Sequence, residues 1–255
     1  MNDMFDLAGK VALITGAGRG MGKAHAEALA AQGATVVITG KDLAECEAVR
    51  DEIGGSAASF ALDVSNAKEV DEVFTAVAEK FGRLDILVNN AGIFEPKSAL
   101  ELTEAEWERT IHINLKGEFL CAQRAAKEML KNKWGRIINI TSIMSGGVGG
   151  GFPGAAHYTA SKGGVVGMTE ALASEWAQFG ITVNAIGPGA IDTPMVREPR
   201  KPLSKELEME IEARVPMKRI GRPEEISAAV VFFASEEASY ITGATLYIDG
   251  GWLAA

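Results

Sequence analysis

Tyr158 and Lys162 are separated by a Tyr-x-x-x-Lys step, which puts both side chains on one face of a helix, a turn apart. There the ammonium can act on the phenol. A free tyrosine titrates near about 10, so using one as a proton donor and acceptor near neutrality means a shift of roughly three pH units, about 4 kcal/mol. A cation one turn away supplies part of it. The same pair also occurs as plain neighbours on a solvated helix face, so its meaning depends on what surrounds it.

A second chemistry-bearing stretch is Thr15-Gly16-Ala17-Gly18-Arg19-Gly20-Met21-Gly22, between an apolar run and a helical pattern. Glycines in such a turn let the backbone bend sharply and approach a pyrophosphate, and the helix N-terminus offers free N–H groups and a positive dipole end. The spacing is TGxxxGxG rather than GxGxxG, because position 21 is Met. At the end of the second apolar run an NAD-preferring site would place an acid for the adenosine ribose. Thr39-Gly40-Lys41 stands there instead, and Lys41 with Arg19 suits a 2′-phosphate. NADP(H) is therefore preferred, with NAD(H) still possible if both are mere surface cations and Asp42 serves as the acid. Asp42 has a competing job as N-cap of the next helix, with Glu45 completing a capping box.

These residues need a scaffold, and its elements alternate. Residues 10–15, 34–39, 56–61, 84–89, 135–141, 181–186 and 245–248 are short, mostly β-branched or apolar runs that read as strands. Residues 21–32, 43–53, 67–81, a long stretch 104–131, 157–179 and 223–234 carry apolar residues at helical spacing. Asp42 with Glu45, Thr103 with Glu106, and Pro223 in a first turn mark helix starts. The pattern predicts an α/β fold: one doubly wound Rossmann domain over 1–255, with a seven-stranded parallel sheet and helices on both faces. Residues 187–222, with five prolines around a helical pattern at 203–214, break the alternation and read as a substrate-binding loop or lid.

Composition agrees. In 255 residues, 47% hydrophobic content with 29 glycines and few aromatics fits a single α/β core with many tight turns. A net charge of −9 argues against nucleic acid and anionic membranes as partners. Cys46 and Cys121 lie in helical patterns with no metal-ligand spacing, so no metal is expected. With no secretory signal and no apolar run long enough to span a bilayer, a soluble cytoplasmic protein follows. His25 and His112 sit in helical patterns and read as making local contacts. His157 points away from its neighbour Tyr158 on a helix.

With TGxxxGxG, Asn89-Asn90-Ala91-Gly92, Asn114, Ser142, Tyr158-x-x-x-Lys162 and Pro188-Gly189 in this order, residues 5–252 closely resemble the short-chain dehydrogenase/reductase family. The resemblance implies an NADP(H)-dependent oxidoreductase interconverting a ketone and a secondary alcohol. It assigns Tyr158 as acid/base. Lys162 would bind the nicotinamide ribose and make the phenol more acidic, Ser142 would hydrogen-bond the substrate oxygen, and Asn114 would hold a relay water. Cofactor contacts would come from Gly16, Arg19, Gly20, Met21, Gly22, Lys41, Asp63, Val64, Asn90, Ala91, Gly92, Pro188, Gly189, Ile191 and Thr193, with Tyr158 and Lys162.

General similarity leans toward reductases of 3-oxoacyl thioesters held on an acidic carrier protein. Phe179 stands where that branch usually has a basic residue, although Lys133, Arg124 and Lys127 remain as carrier contacts. Phe152, Pro153 and Met195 could instead line a pocket for a free alcohol, sugar or polycyclic ketone. Ser142 and Tyr158 are further apart than is usual, the excess being the glycine-rich run 146–151, which is expected to be mobile. Ala160, Gly164, Gly167 and Ala171 form a small-residue stripe on which, in the family, the matching helix packs against its copy in a homotetramer (or homodimer). Non-catalytic cofactor-binding regulation is the remote alternative; such a relative would be expected to have lost one of Asn114, Ser142, Tyr158 or Lys162. Proton-transfer or epimerase chemistry on the same scaffold remains open.

Overall fold

In the computed structural model, which describes residues 4–147, 151–197 and 203–255, the seven apolar runs become one sheet. The strands are β1 (Val11–Thr15), β2 (Thr35–Gly40), β3 (Ala58–Ala61), β4 (Ile86–Asn89), β5 (Gly135–Ile140), β6 (Ile181–Pro188) and β7 (Thr245–Ile248). All pairings are parallel, in the order β3-β2-β1-β4-β5-β6-β7. Around them run α1 (Gly20–Ala31), α2 (Leu43–Ile53), α3 (Ala67–Phe81), α4 (Glu104–Ile111), α5 (Gly117–Asn132), α6 (Ala156–Trp176), α7 (Lys205–Arg214) and α8 (Pro223–Ala234).

Period-two alternation distributes the strand side chains between two cores. Ala12, Ile14, Val36, Ile38, Ile86, Val88, Ile138 and Ile140 face α1, α2 and α8. Leu13, Val37, Leu87, Ile137 and Val183 face α3, α5 and α6. Because both faces are covered, the strands read as continuous apolar runs, and each fully buried Leu or Ile contributes on the order of 1.5–3 kcal/mol. The sheet order reverses between β1 and β4, so the crevice at the carboxyl ends of these strands is the natural ligand site.

Three expectations need correction. The stretch 104–131 is not one helix: α4 and α5 are separated by a π turn, His112–Lys116, in which the Gly117 N–H reaches the His112 carbonyl. One extra residue in a turn leaves the apolar period nearly intact, so periodicity could not reveal it. The helix expected over 157–179 ends as α at Trp176 and finishes in a tighter turn, Ala177–Phe179, closed by Gly180 at φ 77°. The box expected at α2 is half-formed: Asp42 accepts from the Glu45 N–H at 3.2 Å, but the Glu45 carboxylate turns to Arg19. At α4 the Thr103/Glu106 box is complete, and Pro223 opens α8.

The 187–222 segment is pinned at its base. Its first two residues belong to β6, and a bridge between Ile191 and Gly221 clamps its ends, with the Gly221 N–H on the Ala190 carbonyl and the Asp192 N–H on the Gly221 carbonyl, both 2.9 Å. A third cluster of Ile143, Ile211, Val215 and Trp252, with Met144, Phe152, Leu203 and Tyr247, ties α7 to the loop after β5 and to the chain's end. Pro199 and Pro202 lie outside the described residues, as does 148–150 at the centre of the glycine run expected to be mobile. Before that run, Gly146 and Gly147 both have positive φ, 77° and 72°.

Candidate active site

The turn after β1 has the shape its glycines anticipate. Gly16 and Gly20 adopt φ of 63° and 58°, where a side chain would be strained. A Cβ on Gly22 would collide with the Gly16 carbonyl oxygen and lie 2.6 Å from Asn90 Nδ2. The turn is held from β4: the N–H groups of Asn90 and Ala91 both donate to Thr15 Oγ1 at 3.0 Å, and Asn90 Nδ2 donates to the Thr15 and Gly16 carbonyls at 3.0 Å. Thr15 was legible only as part of a motif, and its clamping role emerges from the fold.

Beside this turn lies a cleft of about 520 Å³, within the range of small-molecule sites. Gly16, Arg19, Gly20, Met21, Lys41, Asp63, Val64, Asn90, Ala91, Gly92 and Thr193, all expected contacts, line it. Gly22 lies beneath the turn. Pro188, Gly189 and Ile191 are not among the lining residues: Pro188 closes β6, Gly189 packs on Asp249, and Ile191 is buried in the core beside Ile186 and Ile226. A cradle that any Cβ would fill, at a helix N-terminus, fits a dinucleotide pyrophosphate.

At the adenosine end each expected cation already meets an acid. Lys41 Nζ lies 2.8 Å from Asp63 Oδ2, and Arg19 Nη1 lies 3.3 Å from Glu45 Oε1. Partial burial pushes the Asp63 carboxyl up, but hydrogen bonds from Lys41 and Ser65 more than offset it and hold the group below its ordinary value. Both cations are mostly exposed, so exchanging these partners for a phosphate costs little. Cys46, beneath Gly40, is kept a neutral thiol: burial, with the neighbouring acids Glu45 and Asp42, pushes it up to about 11.

None of the four expected catalytic residues lines the cleft, but three lie behind its wall: Asn114 and Lys162 at Gly92, and Tyr158 at Phe94. Lys162 is buried; its Nζ donates to Glu118 Oε1 at 2.8 Å and to the Ile140 carbonyl at 2.7 Å, and it lies 3.8 Å from where a Cβ on Gly92 would sit. Tyr158 is half-buried, its ring edge-on to Phe94 of the cleft wall with centroids 4.8 Å apart. Ser142 follows β5, and its Oγ accepts from the Met144 N–H at 3.1 Å. The fully buried Asn114 sits on the π turn. Its Oδ1 accepts from the Ile93 N–H at 2.8 Å, and its Nδ2 donates to the Ile93 carbonyl at 2.9 Å and to Ser161 Oγ at 3.4 Å. The amide therefore fastens the strand of residues after β4 that carries Gly92 to Phe94. π turns recur at functional sites because they redirect one residue without breaking the helix.

His157 does not enter this group. Its Nε2 pairs with the Glu95 carbonyl at 3.1 Å. His25 is sealed against Ser227 Oγ at 2.8 Å, and burial pushes it down to about 3, leaving it neutral. Under the site runs a polar network that sequence reading missed: Asn89 Nδ2 donates to Asn139 Oδ1 at 2.9 Å and to the Glu118 carbonyl at 3.1 Å, and Asn139 Nδ2 donates to Thr169 Oγ1 at 2.9 Å. Asn89 and Asn139 lie directly opposite each other on β4 and β5. Their polar side chains inside apolar strands were the available signal, since buried amides require partners.

A doubly wound parallel sheet with a glycine-lined turn at its switch point is the arrangement of a dinucleotide-binding domain. The family model described as enoyl-(acyl carrier protein) reductase matches residues 16–253. A 3-oxoacyl-[acyl-carrier-protein] reductase of Synechocystis sp. is 44% identical over 253 residues, 97% of this chain and 98% of its own. The enzyme of that description named FabG in Vibrio cholerae is 43% identical over 96% of this chain and 98% of its own. A solved structure from Agrobacterium tumefaciens, described provisionally as a gluconate dehydrogenase, is 39% identical, covers 99% of both chains and superposes with a TM-score of 0.93. The chain belongs to the short-chain dehydrogenase/reductase family. It is an oxidoreductase of CH–OH and ketone groups that uses a nicotinamide dinucleotide.

Proposed function

We propose that this protein reduces the ketone of a 3-oxoacyl thioester to a secondary alcohol in the cytoplasm, with NADP(H) preferred. The dinucleotide, when bound, supplies the hydride. Gly16, Gly20, Met21 and Gly22 form the turn that would hold its pyrophosphate, Asp63 and Val64 would meet the adenine, and Lys41 and Arg19 the 2′-phosphate. Asn90, Ala91 and Gly92 would line the adenosine and ribose region; Pro188, Gly189, Ile191 and Thr193 would meet the nicotinamide and phosphate end, a role supported most directly for Thr193, which packs beside Gly20 of the turn. Ser142 Oγ orients the substrate oxygen, and the Tyr158 phenol gives it a proton. Lys162 binds the nicotinamide ribose hydroxyls, and Asn114 holds a water that returns the proton. The observation that carries this reading is the pairing of Tyr158 on Phe94 with the Lys162 ammonium behind Gly92, both at the same end of the nucleotide cleft.

The match to 3-oxoacyl reductases supports the substrate class. Of the cations that could meet an acidic carrier, Arg124 is tied to Asp71 and Glu128, whereas Lys127 and Lys133 are exposed. A free alcohol or sugar is the second reading, supported by the likeness to the A. tumefaciens protein and by Met195, half exposed at the cleft. Offering 3-oxoacyl thioesters, enoyl thioesters and free ketones or sugars, while following loss of the reduced nicotinamide's absorbance, decides between them. Turnover confined to enoyl thioesters would overturn both.

Nucleotide choice is tested separately. Lys41→Ala combined with Arg19→Ala is expected to lower kcat/KM for NADPH about tenfold or more, since two phosphate contacts of this exposure are worth at least about 1.4 kcal/mol, while NADH is little affected. Equal loss with both nucleotides would contradict the assignment. The 187–222 segment would serve as the substrate-binding loop or lid, a reading supported by the Ile191–Gly221 bridge that holds its ends together. On α6, Ala160, Gly167 and Ala171 are exposed, and Gly164 packs on Leu115. That open stripe supports packing against a second copy in a homotetramer or homodimer. Sedimentation at micromolar concentration is expected to show such an oligomer; a strict monomer would contradict it.

A further inference from the structure

Glu118 takes no part in the chemistry so far, yet among the described residues it is the sole carboxylate in contact with Lys162. It sits in the first turn of α5 and is only 2% exposed, and Oε1 accepts from Lys162 Nζ at 2.8 Å. Oε2 is buried with no hydrogen-bond partner among the described residues. Its backbone carbonyl is held by the Asn89 amide, which is itself braced by Asn139. The π turn immediately upstream sets the rotation of α5, so the device that delivers Asn114 also delivers Glu118 beneath Lys162.

An ammonium has three N–H donors. Two of those on Lys162 are taken, by Glu118 Oε1 and the Ile140 carbonyl, and Nζ faces the cleft wall at Gly92. We infer that Glu118 is the positioning residue of Lys162: its carboxylate keeps the buried ammonium charged and fixes one of its donors while the Ile140 carbonyl fixes a second, which reserves the third for the cleft. The geometry requires such a counter-charge, because a buried lysine without one gives up its proton. The titratable groups facing this pair are few. Among the described residues they are Cys121, a turn along α5, whose thiol is pushed up by burial and then by Glu118, and Tyr158 on the Lys162 helix; β4 and the loop after it present only the Asn89 amide and Gly92, and β5 the Ile140 carbonyl. Burial pushes the Glu118 carboxyl up and Lys162 pulls it back toward the ionised form, so the pair depends on both partners.

The inference rests on the role proposed for Tyr158 and Lys162, and its test separates the two. In nucleotide-free protein with lysine labelled at the carbon next to the amine, the Lys162 NMR signal, identified by its loss in Lys162→Arg, reports its ionisation without any turnover. Glu118→Gln keeps the shape and an acceptor but removes the charge, and is expected to move this titration to lower pH by about one unit or more. Its kcat is expected to fall on the order of tenfold, with the loss growing toward high pH, while Glu118→Asp recovers most of both. An unmoved lysine titration in Glu118→Gln would overturn the inference, as would an unaltered pH profile. Should Glu118→Gln fail to fold, Glu118→Leu, which removes the charge at similar volume, carries the same titration, and a lysine signal unshifted there overturns it equally. Absence of ketone reduction by the unsubstituted enzyme would instead sink the Tyr158 reading and leave the titration to judge the pair.

Discussion

Tyr158→Phe is expected to lower ketone reduction by on the order of 10²–10⁴-fold, the range that removal of a general acid produces, with the dissociation constant for NADPH nearly unchanged. The structure makes this a clean substitution. The ring is held by its edge-on contact with Phe94, which phenylalanine reproduces, and the Tyr158 contact that anchors the helix turn is a backbone one, its carbonyl accepting from Ser161 Oγ at 2.7 Å. Only the oxygen is lost, so folding and nucleotide binding should survive while proton delivery does not. Equilibrium titration of NADPH together with steady-state kinetics separates the two effects. Substantial residual turnover would mean that another group, or solvent, donates the proton.

Gly22→Ala is expected to do the opposite: to destroy nucleotide affinity while leaving the catalytic residues in place. Its Cβ would overlap the Gly16 carbonyl, crowd Asn90 Nδ2 at 2.6 Å and lie 2.8 Å from Ala17 Cα. Two of these neighbours are backbone, and the third is the amide that holds the turn, so none can yield cheaply. Overpacking of this kind costs typically about 1–3 kcal/mol, which, taken from the bound geometry, predicts a rise of roughly 5- to 150-fold in the dissociation constant for NADPH. Titration of the variant with NADPH measures it, and unaltered affinity would show that the turn is not where the pyrophosphate binds.

Much of this was legible because it depends on local periodicity. The apolar runs that became β1, β4, β5 and β6 are continuous because both sheet faces are covered, and the glycine turn announces itself because Gly16 and Gly20 need a backbone that other residues resist. What stayed hidden depends on pairs distant in the chain. The π turn is a single inserted residue within an intact apolar pattern, and it decides where Asn114 and Glu118 point. Glu118 reads as one more acid in a helix rich in charge; only its 44-residue separation from Lys162, closed by the fold, shows what it faces. Lys41 and Arg19 were read as waiting cations, whereas each leans on an acid, Asp63 and Glu45, brought in by neighbouring segments. Spacing can name a residue's type of chemistry, but long-range contact decides what that residue touches.

The most direct test of the central claim follows a label rather than a rate. Reduced nicotinamide dinucleotide phosphate deuterated at its hydride-donating carbon, supplied with a 3-oxoacyl thioester, is expected to yield a 3-hydroxyacyl product bearing one deuterium on the carbinol carbon. Tyr158→Phe, though still binding the nucleotide, is expected to yield almost none. Product formed without label from the dinucleotide, or with label placed by Tyr158→Phe as readily as by the unsubstituted enzyme, would contradict hydride transfer coupled to proton donation from Tyr158.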